Sequence, residues 1–129
     1  MKLLIDTHVA IWWALGNEKL SLQGRALIGD PGNDISVSIA TLWEIAVKNA
    51  LQRSEPIGVS VDTAARLMDE AGFDVLAIER RHLLAIERLP LHHRDPFDRM
   101  LVAQAAVDGY RLVTHDRALA AYGDHVLLV

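Results

Sequence analysis

The sequence has 129 residues and no cysteine, which excludes disulfide bonds, thiolate zinc sites and cysteine nucleophiles. It also lacks any apolar run close to the roughly 20 residues that a membrane-spanning helix needs. The apolar start of the chain ends at Asp6, which is too early for the apolar segment of a signal peptide. These absences predict a soluble, cytoplasmic protein that does not associate with a membrane.

Sequence motifs of several common enzyme classes are missing as well. The chain has six histidines but no His-Glu-x-x-His zinc motif. It contains neither of the common glycine-rich phosphate loops and no serine in a Gly-x-Ser-x-Gly setting. The adjacent His92 and His93 are predicted to be solvated rather than metal ligands, and His115 is predicted to lie in an exposed loop.

Positive charge is also scarce, because 13 Lys and Arg stand against 17 Asp and Glu, a formal net charge of −4. That balance argues against nucleic-acid binding unless a metal neutralises some acids or the arginines are concentrated locally. Arg94, Arg99 and Arg117 lie within a few residues of the candidate acids described below. We predict that they hold substrate phosphates, the alternative being solvated helix faces and surface ion pairs.

What the sequence does contain is an alternation of short apolar strands with helical patterns, which predicts one domain with a parallel sheet covered on both faces. Hydrophobic residues make up 51% of the chain, enough for a single core. The predicted strands are 2–5, 35–37, 73–76, 111–113 and 126–129, and the predicted helices are 7–15, 22–28, 39–51, 61–71, 80–86, 96–108 and 117–122, with a loop at 55–58.

Two acidic residues directly follow predicted strands. Asp6 comes after the first strand, and Asp116 lies just beyond the strand at 111–113. In open parallel sheets, ligands bind beyond the carboxyl ends of the strands. We therefore expect Asp6 and Asp116 at the same edge of the sheet.

Two further acids lie on helix faces that are otherwise apolar. Glu44 shares its face with Ala40 and Val47, at i−4 and i+3. Asp98 lies on the helix predicted at 96–108 and has Leu101 three residues further along the same helix. A charge on an apolar face is costly unless a partner compensates it, so both acids are candidates for a functional site.

Four carboxylates at one edge predict a cation. Two unit charges about 4 Å apart repel by roughly 4 kcal/mol at an effective dielectric constant near 20, so a cation neutralises the acids or some of them stay protonated. Oxygen ligands without thiolates favour Mg²⁺ or Mn²⁺. Such a site can activate a water for attack on a phosphodiester and stabilise the leaving oxygen.

Each acid taken singly also has a structural interpretation. Asp6 can simply end a strand, Asp98 can complete a helix cap, and Glu44 can pair with Lys48 at i+4. The joint pattern of two acids at strand ends and two on apolar helix faces is what favours a shared site.

Four segments resemble the PIN-domain family, and specifically the VapC-like toxins of bacterial toxin–antitoxin pairs. They are Leu-Leu-Ile-Asp-Thr-His-Val at 3–9, Ser-Ile-Ala-Thr-Leu-Trp-Glu-Ile-Ala-Val-Lys at 38–48, His-Arg-Asp-Pro-Phe-Asp-Arg-Met-Leu-Val-Ala-Gln-Ala at 93–105 and Leu-Val-Thr-His-Asp at 112–116. Together they span nearly the whole chain in the family's order. The resemblance implies a three-layer α/β/α sandwich with a central, mostly parallel sheet, formed as a single domain by residues 1–129.

The resemblance also implies a ribonuclease that depends on Mg²⁺ or Mn²⁺, pairs with a cognate antitoxin protein and forms a homodimer. Thr114 matches a polar residue of the family that orients a water or a carboxylate. Two acids, Asp95 and Asp98, crowd the third segment; the spacing to Leu-Val-Ala-Gln-Ala favours Asp98 as the ligand and Asp95 as the helix cap, and a contribution of Asp95 to metal binding stays open. The catalytic and metal-binding residues that the resemblance implies are Asp6, Glu44, Asp98 and Asp116. We expect Thr7, Asp95 and Thr114 as supporting residues, and the nearby Arg94, Arg99 and Arg117 as substrate-binding residues.

Two other functions remain open for the same fold. One is a non-catalytic module that binds nucleic acid or a partner protein. The other is a DNA nuclease or a phosphatase, since a fold does not choose between phosphoester substrates.

Overall fold

The computed structural model describes residues 1–51 and 57–129. Its strands are β1 Lys2–Ile5, β2 Asp34–Ser38, β3 Asp74–Leu76, β4 Arg111–Thr114 and β5 Val126–Leu128. They form one sheet in the order β3-β2-β1-β4-β5, and every neighbouring pair is parallel. The predicted parallel sheet is therefore confirmed.

Helices connect the strands in the described part of the chain. They are α1 Thr7–Leu15, α2 Leu22–Gly29, α3 Ile39–Leu51, α4 Val61–Glu70, α5 Arg80–Arg88 and α6 Pro96–Asp108, followed by a 3₁₀ helix at Arg117–Tyr122. These bounds confirm the predicted elements to within a few residues. The first two residues of the loop predicted at 55–58 lie outside the described ranges. Among the helices described, none combines the length and the apolar character needed to cross a membrane.

The helices cover both faces of the sheet because successive side chains of a strand point to opposite faces. In β1, Leu3 and Ile5 pack into one core cluster and Leu4 into the other. The first cluster includes residues of α1, α2 and α4, and the second includes residues of α6 and the 3₁₀ helix. The architecture is the three-layer sandwich expected from the resemblance.

The carboxyl ends of β1 and β4 lie side by side at the centre of the sheet. Ile5 is in register with Val113, and the backbone N–H of Asp6 donates to the carbonyl of Val113 at 3.0 Å. The residues at this end of the two strands, Asp6 and Thr114, are therefore neighbours.

Contacts of α6 with the last residue of β2 and with α3 fix the two helices that follow this edge. The Ser38 hydroxyl donates to Oε1 of Gln104 at 2.6 Å, and both residues are fully buried. Nearer the edge, the rings of Trp43 and Phe97 meet edge to face with centroids 4.8 Å apart. Each ring precedes a candidate acid in sequence, so this contact sets the positions of those acids relative to each other.

Candidate functional site

Asp6 is held at the end of β1 by the start of α1. Its Oδ1 accepts a hydrogen bond from the backbone N–H of Val9 at 2.9 Å, which makes Asp6 the N-cap of α1. Its Oδ2 accepts a hydrogen bond from the Thr114 hydroxyl. Burial raises the pKa of Asp6, and the charge of Glu44 acts in the same direction, while these two hydrogen bonds and His8 oppose the rise.

Glu44 is buried on α3 and reaches back to the first turn of α1. Its Oε1 accepts a hydrogen bond from the Thr7 hydroxyl at 2.6 Å, and that hydroxyl lies 3.2 Å from the hydroxyl of Thr41. Its Oε2 pairs with the ammonium group of Lys48, one helical turn away. The structural interpretation of Glu44 as a partner of Lys48 is thus correct, and the same side chain also faces the end of β1.

Asp95 and Asp98 have different roles at the start of α6. Oδ1 of Asp95 accepts hydrogen bonds from the backbone N–H groups of Phe97 at 2.8 Å and Asp98 at 3.0 Å, which confirms Asp95 as the cap. The Asp98 carboxylate has no capping role and points toward the other acids. Burial, followed by the negative charges of Asp95, Asp6 and Glu44, raises the pKa of Asp98 to about 7.

Asp116 stands at the outer side of the group. Its Oδ1 caps the 3₁₀ helix through the N–H of Ala118 at 2.9 Å, and its own N–H donates to the Thr114 hydroxyl at 3.0 Å. Its Oδ2 lies 2.9 Å from Nε2 of His93. Burial raises the pKa of Asp116, but the hydrogen bonds from Ala118 and His93 outweigh it, so the pKa lies below its ordinary value.

The four predicted acids therefore lie around one edge of the sheet, with Glu44 near enough for its charge to act on Asp6 and Asp98. Within residues 1–51 and 57–129, the candidate metal-ligand atoms that lie within 4.8 Å of one another are those of His93, Asp98 and Asp116. Thr114 links Asp6 to the backbone of Asp116, and His93 links Asp116 to Asp98, whose Oδ2 is 3.4 Å from Nε2. Burial is the largest cause of the raised pKa values of Asp6 and Asp98, and the negative charges of neighbouring acids raise both pKa values further. Carboxylate oxygens are the ligands that a hard divalent cation takes, so these residues fit a divalent cation.

The sequence model of the PIN domain matches residues 3–124, which is nearly the whole chain and includes all four acids. The chain belongs to the PIN-domain family. The resemblance carried by the four sequence segments is confirmed by this match.

The proteins similar to this PIN domain include a ribonuclease and a toxin–antitoxin complex. The ribonuclease VapC22 of Mycobacterium tuberculosis (strain ATCC 25618 / H37Rv) is 29% identical over 121 residues, which are 92% of this chain and 90% of that protein. Among solved structures, VapBC2 from Rickettsia felis, bound to a DNA fragment from their promoter, matches with a TM-score of 0.69 at 12% identity. The alignment covers 100% of this chain and 98% of that one.

Two further solved structures share the fold of this PIN domain. A toxin–antitoxin complex from Klebsiella pneumoniae has a TM-score of 0.65 at 18% identity, covering 97% of this chain and 95% of its own. VapBC-1 from nontypeable Haemophilus influenzae has a TM-score of 0.66 at 17% identity, covering 99% and 98%. At these identities the likeness shows the fold.

Two residues of this PIN domain contact the acids although neither was predicted to belong to the site. His93 was predicted to be solvated, but its ring is half-buried and touches both Asp98 and Asp116. The signal available in the sequence was its position two residues before the cap Asp95. Lys48 was predicted only as a structural partner of Glu44. Desolvation lowers the pKa of Lys48, but the hydrogen bond and charge of Glu44 outweigh it, with smaller contributions from the charges of Asp95 and Asp98, so the pKa is raised.

The three arginines predicted to bind substrate have different surroundings. Arg94 and Arg117 are exposed, and neither side chain forms a hydrogen bond or ion pair within residues 1–51 and 57–129. Arg99 instead donates to the carbonyls of Pro90 and Ile86, each at 3.0 Å, and to the hydroxyl of Tyr122 at 3.1 Å. Its guanidinium thus ties the loop before α6 to its surroundings, which weighs against a role in holding phosphate.

Proposed function

We propose that this PIN domain is a metal-dependent endoribonuclease and the toxin of a toxin–antitoxin pair. The observation that carries the proposal is the meeting of Asp6, Glu44, Asp98 and Asp116 at the carboxyl edge of the sheet, in a chain whose curated relative is a ribonuclease. Acids drawn from four separate segments are not needed together for folding, but a phosphodiesterase needs such a group to hold its cation.

We assign the four acids as ligands of Mg²⁺ or Mn²⁺. An ion bound there would neutralise the carboxylates, lower the pKa of a water and stabilise the leaving oxygen of a phosphodiester. The chain's own groups prepare the acids for this. The hydroxyl of Thr7 orients Glu44 and that of Thr114 orients Asp6, and both hydroxyls are buried, so their hydrogen bonds do not compete with water.

Asp98 is partly protonated near neutral pH in the metal-free protein. Its pKa is about 7, because of burial first and then the negative charges of Asp95, Asp6 and Glu44. A bound cation would favour the ionised form. The carboxylate form is available for binding a cation, and its partial exposure leaves a path for substrate.

An RNA substrate is supported by an aromatic surface beside the acids. The ring of Trp12 lies 5.3 Å from the ring of His115 and 6.0 Å from that of His8, centroid to centroid, and both histidines are exposed. Unpaired RNA bases stack on such rings, and stacking supplies affinity that a chain of net charge −4 cannot draw from phosphate contacts. The exposed Arg117, beside Asp116, is suited to a phosphate.

A second copy of the chain and an antitoxin complete the proposal. An apolar groove of about 460 Å³ between α3, α5 and α6 is lined by Trp43, Leu83 and Leu91, whose side chains are half or more exposed. Burial of this groove in a homodimer would remove it from water. The cognate antitoxin is inferred from the solved neighbours, which are toxin–antitoxin complexes, and the cysteine-free chain suits the cytoplasm.

The test is RNA cleavage by the purified protein with Mg²⁺, with Mn²⁺ and with a chelator, on a panel of structured RNAs that includes tRNA and ribosomal RNA. Cleavage is expected only with a divalent ion and only in the wild type. Asp6→Asn is the matched variant, because asparagine also caps helices and the fold is retained.

Cleavage that persists in the chelator, or in Asp6→Asn, would contradict the proposal. The cellular counterpart is growth arrest on expression, relieved by the same variant. A protein that acts only by binding would arrest growth equally with Asn at position 6, and a DNA nuclease or phosphatase would leave the RNA panel intact while cutting duplex DNA or a phosphomonoester.

A further inference from the structure

His93 has a ring whose proton position is set by its backbone neighbour. Its Nδ1 accepts a hydrogen bond from the N–H of Asp95 at 3.0 Å. An amide N–H can only donate, so Nδ1 carries no proton and the ring holds its proton on Nε2. The residue that caps α6 therefore also fixes the tautomer of His93.

The Nε2–H group of His93 faces two carboxylates. Oδ2 of Asp116 is 2.9 Å away and Oδ2 of Asp98 is 3.4 Å away. An ionised carboxylate oxygen only accepts, so the donor Nε2–H faces an acceptor, while the acceptor Nδ1 faces the donor N–H of Asp95. The electron pair that Nε2 would need to bind a metal is taken up by its bond to hydrogen.

The loop that carries His93 is anchored on both sides of the residue. Its backbone N–H donates to the Tyr122 hydroxyl at 3.1 Å, and Arg99 donates both to that hydroxyl at 3.1 Å and to the His93 carbonyl at 3.5 Å. The ring is thus held in place by contacts that do not involve the acids.

We propose that His93 is a positioning residue of the metal centre, which donates its Nε2–H hydrogen bond to Asp116, lies 3.4 Å from Asp98 through the same nitrogen, and does not bind the ion itself. This inference rests on the metal-dependent nuclease proposed above. Single atoms of His93, Asp98 and Asp116 do lie within 4.8 Å of one another, as a three-ligand site requires. Using Nε2 as a ligand would, however, move the ring proton to Nδ1 and break the bond to the Asp95 amide.

The first experiment reads the tautomer directly. Long-range ¹H–¹⁵N correlation spectra of protein labelled with ¹⁵N-histidine separate protonated from unprotonated ring nitrogens, and the His93→Gln variant identifies the signals of His93. We expect a protonated Nε2 and an unprotonated Nδ1, both without metal and with saturating Mg²⁺. A proton on Nδ1, or loss of the Nε2 proton when Mg²⁺ is added, would overturn the proposal.

The second experiment measures metal binding without substrate, from the electron paramagnetic resonance of free Mn²⁺. Glutamine at position 93 can place an N–H near the position of Nε2, whereas asparagine keeps only an acceptor near that of Nδ1. Loss of an outer hydrogen bond typically weakens metal affinity by about 10- to 100-fold, so we expect that loss in His93→Asn and affinity within about threefold of wild type in His93→Gln. The matched control is His92→Gln, an exposed neighbour.

The affinity for Ni²⁺, compared with that for Mn²⁺, distinguishes a hydrogen-bond donor from a metal ligand at position 93. An imidazole ligand favours Ni²⁺ over Mn²⁺, so removal of a ligand would lower Ni²⁺ affinity far more than Mn²⁺ affinity. A positioning residue affects both ions by a similar factor. Equal Mn²⁺ affinity in wild type and His93→Asn would refute the inference while leaving the nuclease intact, whereas no Mn²⁺ binding by the wild type would refute the metal-dependent nuclease itself.

Discussion

The two halves of the carboxylate group differ in how the fold holds them. Asp6 and Glu44, the inner pair, are almost fully buried, and each of their four carboxylate oxygens has a hydrogen-bond partner in the chain. Asp98 and Asp116, the outer pair, keep 22% and 43% of their side chains exposed and share His93. The inner pair is set by folding, while the outer pair is where a ligand can enter.

The comparison also shows that structural and functional roles are not alternatives in this protein. Asp6 caps α1 and Asp116 caps the 3₁₀ helix, each through its Oδ1. The Oδ2 atoms of the two acids bond to Thr114 and His93 within the site. Capping fixes a carboxylate at a helix N-terminus, where its charge is favourable, and so prepares it at little cost in stability. Asp98 caps nothing, and burial followed by the charges of Asp95, Asp6 and Glu44 raises its pKa to about 7.

The largest expected effect comes from removing the charge of Asp98. We predict that Asp98→Asn lowers RNA cleavage by more than about 100-fold, because a metal ligand contributes several kcal/mol to the transition state. The metal-free variant should nevertheless be more stable than wild type at neutral pH, by about 1 kcal/mol or more, since each pKa unit corresponds to about 1.4 kcal/mol. Cleavage assays and urea unfolding in chelator measure the two effects.

The exposed Asp69→Asn on α4 is the matched control for that variant and should change neither quantity. Loss of cleavage accompanied by loss of stability would show that Asp98 serves the fold and would remove the distinction between the inner and outer pairs.

The pH dependence of stability should follow the same acid. The pKa of Asp98 in the folded protein, about 7, lies above its ordinary value of 3.8, so the folded state keeps a proton that the unfolded chain has lost. Between these values the free energy of unfolding of the metal-free protein falls as pH rises, at up to about 1.4 kcal/mol per pH unit from this group. Urea unfolding between about pH 5 and pH 7 measures it.

Two comparisons isolate the contribution of Asp98 to this slope. The difference in unfolding free energy between wild type and Asp98→Asn should show this decrease with rising pH. Saturating Mg²⁺ should make the decrease smaller, because the ion favours the ionised acid. Equal slopes in wild type and variant would mean that the charge around Asp98 is already balanced.

Loss of a hydrogen bond to the inner pair should lower the free energy of unfolding. Thr114→Val removes the hydroxyl that donates to Asp6 and accepts from Asp116, at a fully buried position. We predict a loss of about 1–3 kcal/mol in the free energy of unfolding, the usual cost of leaving a buried polar group without its partner. Thr114→Ser keeps the hydroxyl and should lose less, and a valine variant as stable as wild type would show that Asp6 does not depend on this bond.

The smallest effect is expected from the exposed arginine beside the outer pair. Arg117→Gln should weaken RNA binding by about threefold and reduce its dependence on salt by about one phosphate contact, without a change in stability. Arg99→Gln is the informative contrast, because it removes hydrogen bonds to loop carbonyls and to the Tyr122 hydroxyl and should lower the melting temperature instead. Filter binding at several salt concentrations, with thermal unfolding, separates the two arginines.

The elements of this protein were predictable because their signals are local. Asp95 and Pro96 mark the start of α6, Gly109 ends it in the left-handed conformation, and the apolar strand at 3–5 ends at Asp6. The rule that parallel strands end at one edge then predicts, from the sequence, that Asp6 and Asp116 lie together. Their roles as metal ligands remain predictions.

The partners of those acids were not predictable in the same way. His93 faces the acids, whereas the adjacent His92 packs on Tyr122. This difference depends on the path of one loop, which Arg99 and Tyr122 hold in place. The position of His93 two residues before the cap Asp95 is a local signal, but it does not fix the direction of the ring, and His92 carries no such signal. The sequence likewise did not distinguish Arg99 from Arg117.

Local signals were sufficient to predict the succession of strands and helices along the chain, the helix caps and the edge of the sheet near which the four acids lie. Each of these depends on neighbours along the chain or on a rule of parallel sheets. The folded arrangement was needed to learn which carboxylates are buried and paired, which keep uncompensated charge, and which histidine and arginine lie near them. Those properties depend on distances between groups far apart in sequence, and electrostatic energy changes steeply with such distances and with exposure to water.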